Sequence, residues 1–542
     1  MQKRLRGNPD VNFPKAVRSF QAGNFAEAKR TCQKILSHHS DHGDTLNLMG
    51  LTRARTGDFK VAITFLKRAV KSDGRNVGYH FTLGEVLLAT GDLSGAKEAF
   101  HQGLSLQPDH MGCLMNLGMA HMHLGAWSEA VSAFTRAVEL APKEATVFAR
   151  LGVALQESND ISGAIAAYQT SIELDPQDPH THFNLGTVLS KTDDLDGTIA
   201  AYKQALTLEP NYQTAYRNLG GVYLKSAEYE DAVGMLRRAI EMAPDDIISL
   251  QDFGSALLGA SQFDEAVRIN ERALELDLKS IDRWSDLAFS HLCAGNPEQA
   301  LSASNSGLSL KQNHTSCLAF KSTALNHLER REEAAEILGL DRLIFQKQFD
   351  APEGYASNDD FNEALFSHVK YDSSLSTSKL NRGLVAGQGT QELFEGELKP
   401  VLKTFQEMIQ LAIEEYKRAV PVDEKHPFLI SQPDKTKIVC WATLIQSNGF
   451  LDTHFHPPGW LSGVYYPHLP DAVDLHSENH EGWIEFGREY YRIGSDDQPP
   501  IFVVKPNPGL MVLFPSYLGH RTLSFESAEE RMSVAFDILP IG

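Results

Sequence analysis

Residues 151–184 read LGVALQESNDISGAIAAYQTSIELDPQDPHTHFN, and this stretch decides the architecture of the first part of the chain. Its Gly152 is one of a series, Gly50, Gly84, Gly118, Gly152, Gly186, Gly220 and Gly254, spaced 34 residues apart. Its Pro176 belongs to Pro108, Pro142, Pro176, Pro210 and Pro244. Its Ala164 belongs to Ala28, Ala62, Ala96, Ala130, Ala164, Ala232, Ala266 and Ala300, with Thr198 in the one gap. Small residues let two helices approach closely, and a proline ends the second of them. Each unit is therefore expected to be a helical hairpin. Phe100, Phe134, Tyr168 and Tyr202 also share an offset and read as core between the two helices.

A 34-residue period with Leu-Gly, Ala, an aromatic and Pro at set offsets resembles the tetratricopeptide repeat. The repeats run from about residue 9 to 314, with a degenerate unit around Ala334, so the solenoid is assigned to residues 9–340. Such arrays bury apolar surface between neighbours and leave a long concave groove. One position of successive first helices carries Asn116, Arg150, Asn184 and Asn218, then Asp252. Stacked asparagines suit hydrogen bonding to an extended peptide, and related repeat proteins use such a ladder; ordinary solvated polar positions are the competing reading. Asp252 argues against a clamp for a chain-terminal carboxylate at that end. The partner expected is a protein or peptide.

The chain has 542 residues, too many for one core, and a formal net charge of -20. That charge disfavours nucleic acid and anionic membrane as partners and suits a basic protein or peptide. The five cysteines, Cys32, Cys113, Cys293, Cys317 and Cys440, have no metal-binding spacing. A sparse odd set points to a reducing compartment, and a cytoplasmic location is expected. No apolar stretch follows the basic start Met-Gln-Lys-Arg-Leu-Arg, so no signal peptide is expected. No apolar run reaches the roughly 18 residues a membrane span needs.

The last hundred residues read differently. Asn448-Gly-Phe-Leu-Asp-Thr-His-Phe-His-Pro-Pro-Gly-Trp-Leu-Ser-Gly-Val-Tyr-Tyr466 suggests a strand, a Pro-Gly turn and a second strand forming a hairpin. Alternation puts Asp452, His454 and His456 on one face, with Ser462 and Gly463 leaving room beside them. His520 is expected just past the apolar strand that starts at Gly509, and Arg531, Ser533 and Ala535 share a face of the final strand. Three imidazoles followed by an Arg-x-Ser pair are what a mononuclear non-haem iron site with an oxo-acid co-substrate needs. Three ligand sets stay open: His454, His456 and His520; His454 and His520 with Asp452; or two histidines and water. Arg521 rivals Arg531 as the co-substrate arginine, but Arg531 lies mid-strand among apolar neighbours, where an unpaired guanidinium would be costly. His468, His476 and His480 read as loop residues.

His454-Phe-His-Pro457, Trp460-Leu-Ser-Gly-Val-Tyr-Tyr466, Gly482-Trp-Ile-Glu-Phe-Gly-Arg488, Leu513-Phe-Pro-Ser-Tyr517 with His520, and Arg531-Met-Ser-Val-Ala-Phe-Asp537 together resemble one family of iron(II)/2-oxoglutarate-dependent oxygenases. The resemblance covers about the last 200 residues and implies a jelly roll (double-stranded β-helix). It implies Fe(II) on the first-strand histidine and His520, and 2-oxoglutarate held by Arg531 and Ser533. The wider superfamily has His-x-Asp or His-x-Glu in the first strand; here His456 stands in the carboxylate's place.

The expected architecture is thus multidomain: an all-α tetratricopeptide-repeat superhelix over 9–340, a linker with a supporting helix over 341–435, and a jelly-roll core over 436–542. Phe361–Lys370 reads as a short helix or strand, Ser373–Ser378 as a polar loop, and Leu393–Ala419 as a helix bracing the sheet. The function expected is a 2-oxoglutarate-dependent dioxygenase hydroxylating a protein or peptide in the repeat groove. The alternatives are a repeat scaffold with an inactive jelly roll, and an oxygenase acting on a small molecule.

Overall fold

The computed structural model describes residues 9–192, 194–377, 384–471, 473, 480–489 and 500–541. Two residues assigned to loops above, Ser378 and His476, lie outside them. The chain forms two compact units, Met1–Ser226 and Ala227–Gly542. No helix among the described residues is long and apolar enough to cross a membrane.

Among the described residues the first unit holds thirteen helices, from Pro9–Gln21 to Gln213–Lys225, the first twelve paired as tetratricopeptide hairpins. Four of the recurring glycines are small because a ring lies against each, while Gly50 faces Leu66 and Gly254 faces Asn270. A Cβ on Gly118 would sit 2.6 Å from the Phe134 ring, and one on Gly152 2.6 Å from that of Tyr168. Gly84 meets Phe100 and Gly186 meets Tyr202 in the same way. These four aromatics are buried, and each contributes about 1.5–3 kcal/mol by leaving water. Ala28, Ala62, Ala96, Ala130 and Ala164 are fully buried, and Thr198 takes the same position. Helix Ile161–Leu174 starts with the Asp160 carboxylate accepting from the Gly163 amide at 3.0 Å and stops before Pro176. The turn within a hairpin needs a left-handed residue; Gly91 supplies it at φ 80° and Asn159 at φ 66°.

The second unit opens with seven more repeat helices, Tyr229–Met242 to Arg331–Leu338. Among the described residues the sheet that follows has nine strands: β1 (Phe345–Gln348), β2 (Leu384–Gly389), β3 (Thr436–His454), β4 (Leu461–His468), β5 (Ile484–Phe486), β6 (Phe502–Val504), β7 (Leu510–Pro515), β8 (His520–Thr522) and β9 (Arg531–Pro540). Their order is β1-β7-β4-β9-β3-β8-β5-β6, with β2 also on β3, and every pairing is antiparallel. This curled sheet is the jelly roll. Two of its strands, β1 and β2, come from the 341–435 segment.

Several local expectations change. β3 and β4 are not a hairpin: β9 lies between them, bonded to both. His520 lies, as expected, just past the turn that ends the apolar strand β7, where it opens β8, but His468 closes β4 instead of lying in a loop. The bracing helix begins at Pro400, not near Leu393, since Gly396 is left-handed at φ 75° and Pro400 suits a first helical turn. Phe361–Lys370 is helical, within Asn358–Lys370. Phe405 of the bracing helix packs on Phe361, Tyr465 and Phe536, which ties both helices to the sheet. One continuous hydrophobic core runs from Leu274 in the late repeats to Ile538 in β9.

Candidate metal centre

β3 and β8 pair at their ends, with His454 directly opposite His520. β3 stops there, so strand alternation does not carry His456 inward. His456 is instead held by its own amide, which donates to the Ser516 carbonyl at 2.9 Å just beyond β7. Ring centroids are 4.4 Å apart for His454 and His520, 5.1 Å for His454 and His456, and 5.2 Å for His456 and His520. One ligand atom from each of the three lies within 4.8 Å of the others, and among the described residues this is the group able to hold a metal.

The tautomers follow from what each Nδ1 does. His454 Nδ1 donates to the Asp452 carbonyl at 2.7 Å, and His520 Nδ1 to the Leu518 carbonyl at 3.0 Å. His456 Nδ1 donates to the Asp537 carboxylate at 2.9 Å. Every Nδ1 is thus occupied and every Nε2 is left as a lone-pair donor, the outer-partner arrangement typical of metal-binding histidines. His456 Nε2 is buried without a hydrogen-bond partner, an expensive state for a polar atom unless it binds something. Burial and the neighbouring His456 lower the His454 pKa to about 4, and burial with both other rings pulls His520 well below its usual range. Both rings are therefore neutral near pH 7, the form that binds metal.

Asp452 does not share the site. The β3 register shifts between Leu451 and His454, and the Asp452 carboxylate accepts from the Thr453 amide. The carboxylate that matters is Asp537, two positions along the face shared by Arg531, Ser533 and Ala535. It lies behind His456, with its other oxygen accepting from Ser462 Oγ at 2.7 Å. A negative charge lost from the inner ring of ligands is thereby restored one step out. Sequence reasoning named Asp537 only within a motif, although continued alternation from Arg531 would have marked it.

A cavity of about 60 Å³ is lined by His454, His456, His520, Arg531 and Ser533, among others. Arg531 is 1% exposed, donates from Nε to the Gly482 carbonyl at 3.1 Å, and lies with its guanidinium 5.1 Å from the Tyr466 ring centroid. Burial lowers its pKa, and among the described residues no carboxylate pairs with it. A buried guanidinium without a counter-charge is costly and marks a place for an anion. Ser533 shares a 2.8 Å hydrogen bond with Thr443. Arg521 also borders the cavity, but Glu485 already engages it at 2.8 Å and holds Arg488 as well. The donor set thus fits a divalent cation beside a small dianion.

The groove candidates lie in the first helices of successive hairpins. Asn116 and Asn184 are half-buried and Arg150 is exposed, while Asn218 donates to the Tyr202 hydroxyl at 3.4 Å.

Comparison with known families matches residues 439–537 to the family described as "Putative 2OG-Fe(II) oxygenase". Residues 81–145 and 189–253 match two tetratricopeptide-repeat families, and residues 155–193 a third, described as "TPR repeat". No curated protein matches. Among solved structures, MamA is 26% identical over 30% of this chain and 94% of its own, with a TM-score of 0.29. YrrB, titled a TPR protein with an unusual peptide-binding site, is 21% identical over 34% of this chain and 96% of its own, with a TM-score of 0.32. The C-terminal part of a TPR repeat-containing protein from Cytophaga hutchinsonii is 16% identical over 44% of this chain and 98% of its own, at 0.40.

Proposed function

We propose that this chain, which carries tetratricopeptide repeats and a domain of the 2OG-Fe(II) oxygenase family, is a 2-oxoglutarate-dependent dioxygenase acting on a protein or peptide held by its repeats. His454, His456 and His520 would hold ferrous iron through their Nε2 atoms. Arg531 and Ser533 would hold the far carboxylate of 2-oxoglutarate. Bound together, iron and 2-oxoglutarate would supply oxidative hydroxylation of a C–H bond by dioxygen, with succinate and carbon dioxide as co-products.

The protein's own part is orientation and exclusion. Carbonyls and the Asp537 carboxylate keep each ring in one tautomer, with Nε2 toward the others. Buried Arg531 selects a carboxylate by charge and by its planar fork. Trp441 stacks on His456 and Phe514 packs edge-on against His520, keeping water from the rings. The observation that carries the reading is the co-location, in one cavity, of three histidines whose Nδ1 atoms are all engaged, the buried His456 Nε2 having no partner, and a buried guanidinium that no carboxylate among the described residues pairs with.

The test is succinate formation from 2-oxoglutarate by the full chain, dependent on added Fe(II) and dioxygen. Absence of both iron uptake and turnover would leave the rival reading, a repeat scaffold with an inactive jelly roll. That rival draws on the lack of a carboxylate among the three grouped side chains. Asn116, Arg150, Asn184 and Asn218 would line the peptide groove. Proteomic comparison for a substrate gaining one oxygen atom only when the protein is present tests the polypeptide part. A hydroxylated small molecule found instead would favour a recruiting role for the repeats.

A further inference from the structure

The stretch Phe455–Gly459 is the weak point of the proposed centre. It follows the end of β3 and precedes β4, so no strand ladder fixes it, yet it contains His456. Its neighbours are not in the jelly roll alone. The Phe455 ring, between the two histidines, meets Phe320 edge-on at 5.7 Å. Phe320 lies in the repeat helix Thr315–His327 and stacks in turn on Phe289 of helix Ile281–Cys293, at 5.1 Å. At the other end of the stretch, Thr315 Oγ1 donates to the Gly459 carbonyl at 3.0 Å.

The segment that carries His520 is held from the same side. Tyr517 is buried, and its hydroxyl donates to the Ile337 carbonyl of the final repeat helix at 2.6 Å. His327 binds the Glu489 carboxylate at 2.8 Å. Glu489 follows Gly487, whose amide donates to the Gly519 carbonyl at 2.9 Å, one residue before His520.

We infer that the terminal repeat hairpin, through Phe320, Thr315 and Ile337, is a positioning element of the metal centre. It sets the two ligand-bearing segments, 454–459 and 517–520, against each other. The last repeats then serve the chemistry and are not only part of a docking surface. Ligands held by their own supporting contacts keep their geometry; those left to a free loop do not. This inference rests on the metal reading above, so its test must separate the two.

The experiment uses the full-length chain and Co(II), whose visible absorption reports the ligand geometry without turnover. Wild type is expected to bind Co(II) with a defined spectrum. Phe320→Ala should weaken that binding at least about tenfold, the scale seen when outer-shell support is lost, and alter the spectrum while helicity stays native. Phe320→Leu should restore most of the affinity. Phe253→Ala, at another buried phenylalanine, in helix Ile247–Gly259, should leave the Co(II) site unchanged. Should Phe320→Ala unfold the chain, Thr315→Val combined with Tyr517→Phe carries the test, with an expected loss of at least about threefold. Wild-type affinity and spectrum in whichever variant is folded would overturn the clamp while leaving the metal reading intact. No Co(II) uptake by the wild type would overturn both.

Discussion

The helices of the first unit and the end of β3 solve opposite problems. In the helices, one contact is repeated: Gly118 on Phe134, Gly152 on Tyr168, Gly186 on Tyr202. At the end of β3, each contact occurs once and joins distant residues: His456 to Asp537, Phe455 to Phe320, His454 to His520. Repetition spreads stability over many equivalent positions. A centre built from single long-range contacts concentrates function in a few atoms. Substitutions in the two regions should therefore differ in what they damage as well as in how much.

The largest effect is expected at the centre. His520→Ala should abolish iron uptake, read by metal analysis of the purified chain, because it deletes one of three grouped nitrogens. Arg531→Ala should leave iron uptake near wild type but raise the KM for 2-oxoglutarate about 10- to 100-fold, the equivalent of about 1.5–3 kcal/mol for a charge-assisted hydrogen bond. Arg521→Ala should move that KM by no more than about threefold, since Glu485 already engages this side chain. Equal losses of iron in the His520 and Arg531 variants, or equal KM effects for the two arginines, would break the division of roles.

Asp537→Asn comes next. The amide can still accept from His456 Nδ1, but without the carboxylate's charge the ring becomes a poorer donor. Metal affinity should fall about 10- to 100-fold, measured by Co(II) titration, with the fold retained. An unchanged affinity would mean that the Asp537 charge does not act on the centre through His456.

The same contrast explains what could be read in advance. A 34-residue period is visible because every unit restates it, and hairpins, buried alanines and the aromatic core followed directly. His454, His520, Arg531 and Ser533 were legible because each lies on or opposite a strand with clear alternation. Asp452 was misplaced because a register shift in β3 breaks the alternation on which its placement depended. The β3–β4 hairpin failed for a related reason: a local turn signal cannot reveal that β9, seventy residues on, inserts between the strands. Nor could local pattern reveal Phe320 against Phe455. A ring in a repeat helix looks like repeat core whether its partner is the next helix or another part of the chain.

The smallest effects belong to the helices, where two glycines give opposite signs. Gly→Ala inside a helix gains about 1 kcal/mol of intrinsic propensity in either place. At Gly221, in helix Gln213–Lys225, an added Cβ would meet nothing within 4 Å, so Gly221→Ala should stabilise the chain by about 0.5–1 kcal/mol. At Gly152 the same methyl would lie 2.6 Å from the Tyr168 ring, which is fully buried and has no room to withdraw. Overpacking costs about 1–3 kcal/mol, so Gly152→Ala should be neutral at best and otherwise destabilising. Thermal unfolding of the two variants side by side separates propensity from packing. If Gly152→Ala raised the midpoint as much as Gly221→Ala, close helix approach would not explain the recurring glycine, and the small residue would need another cause.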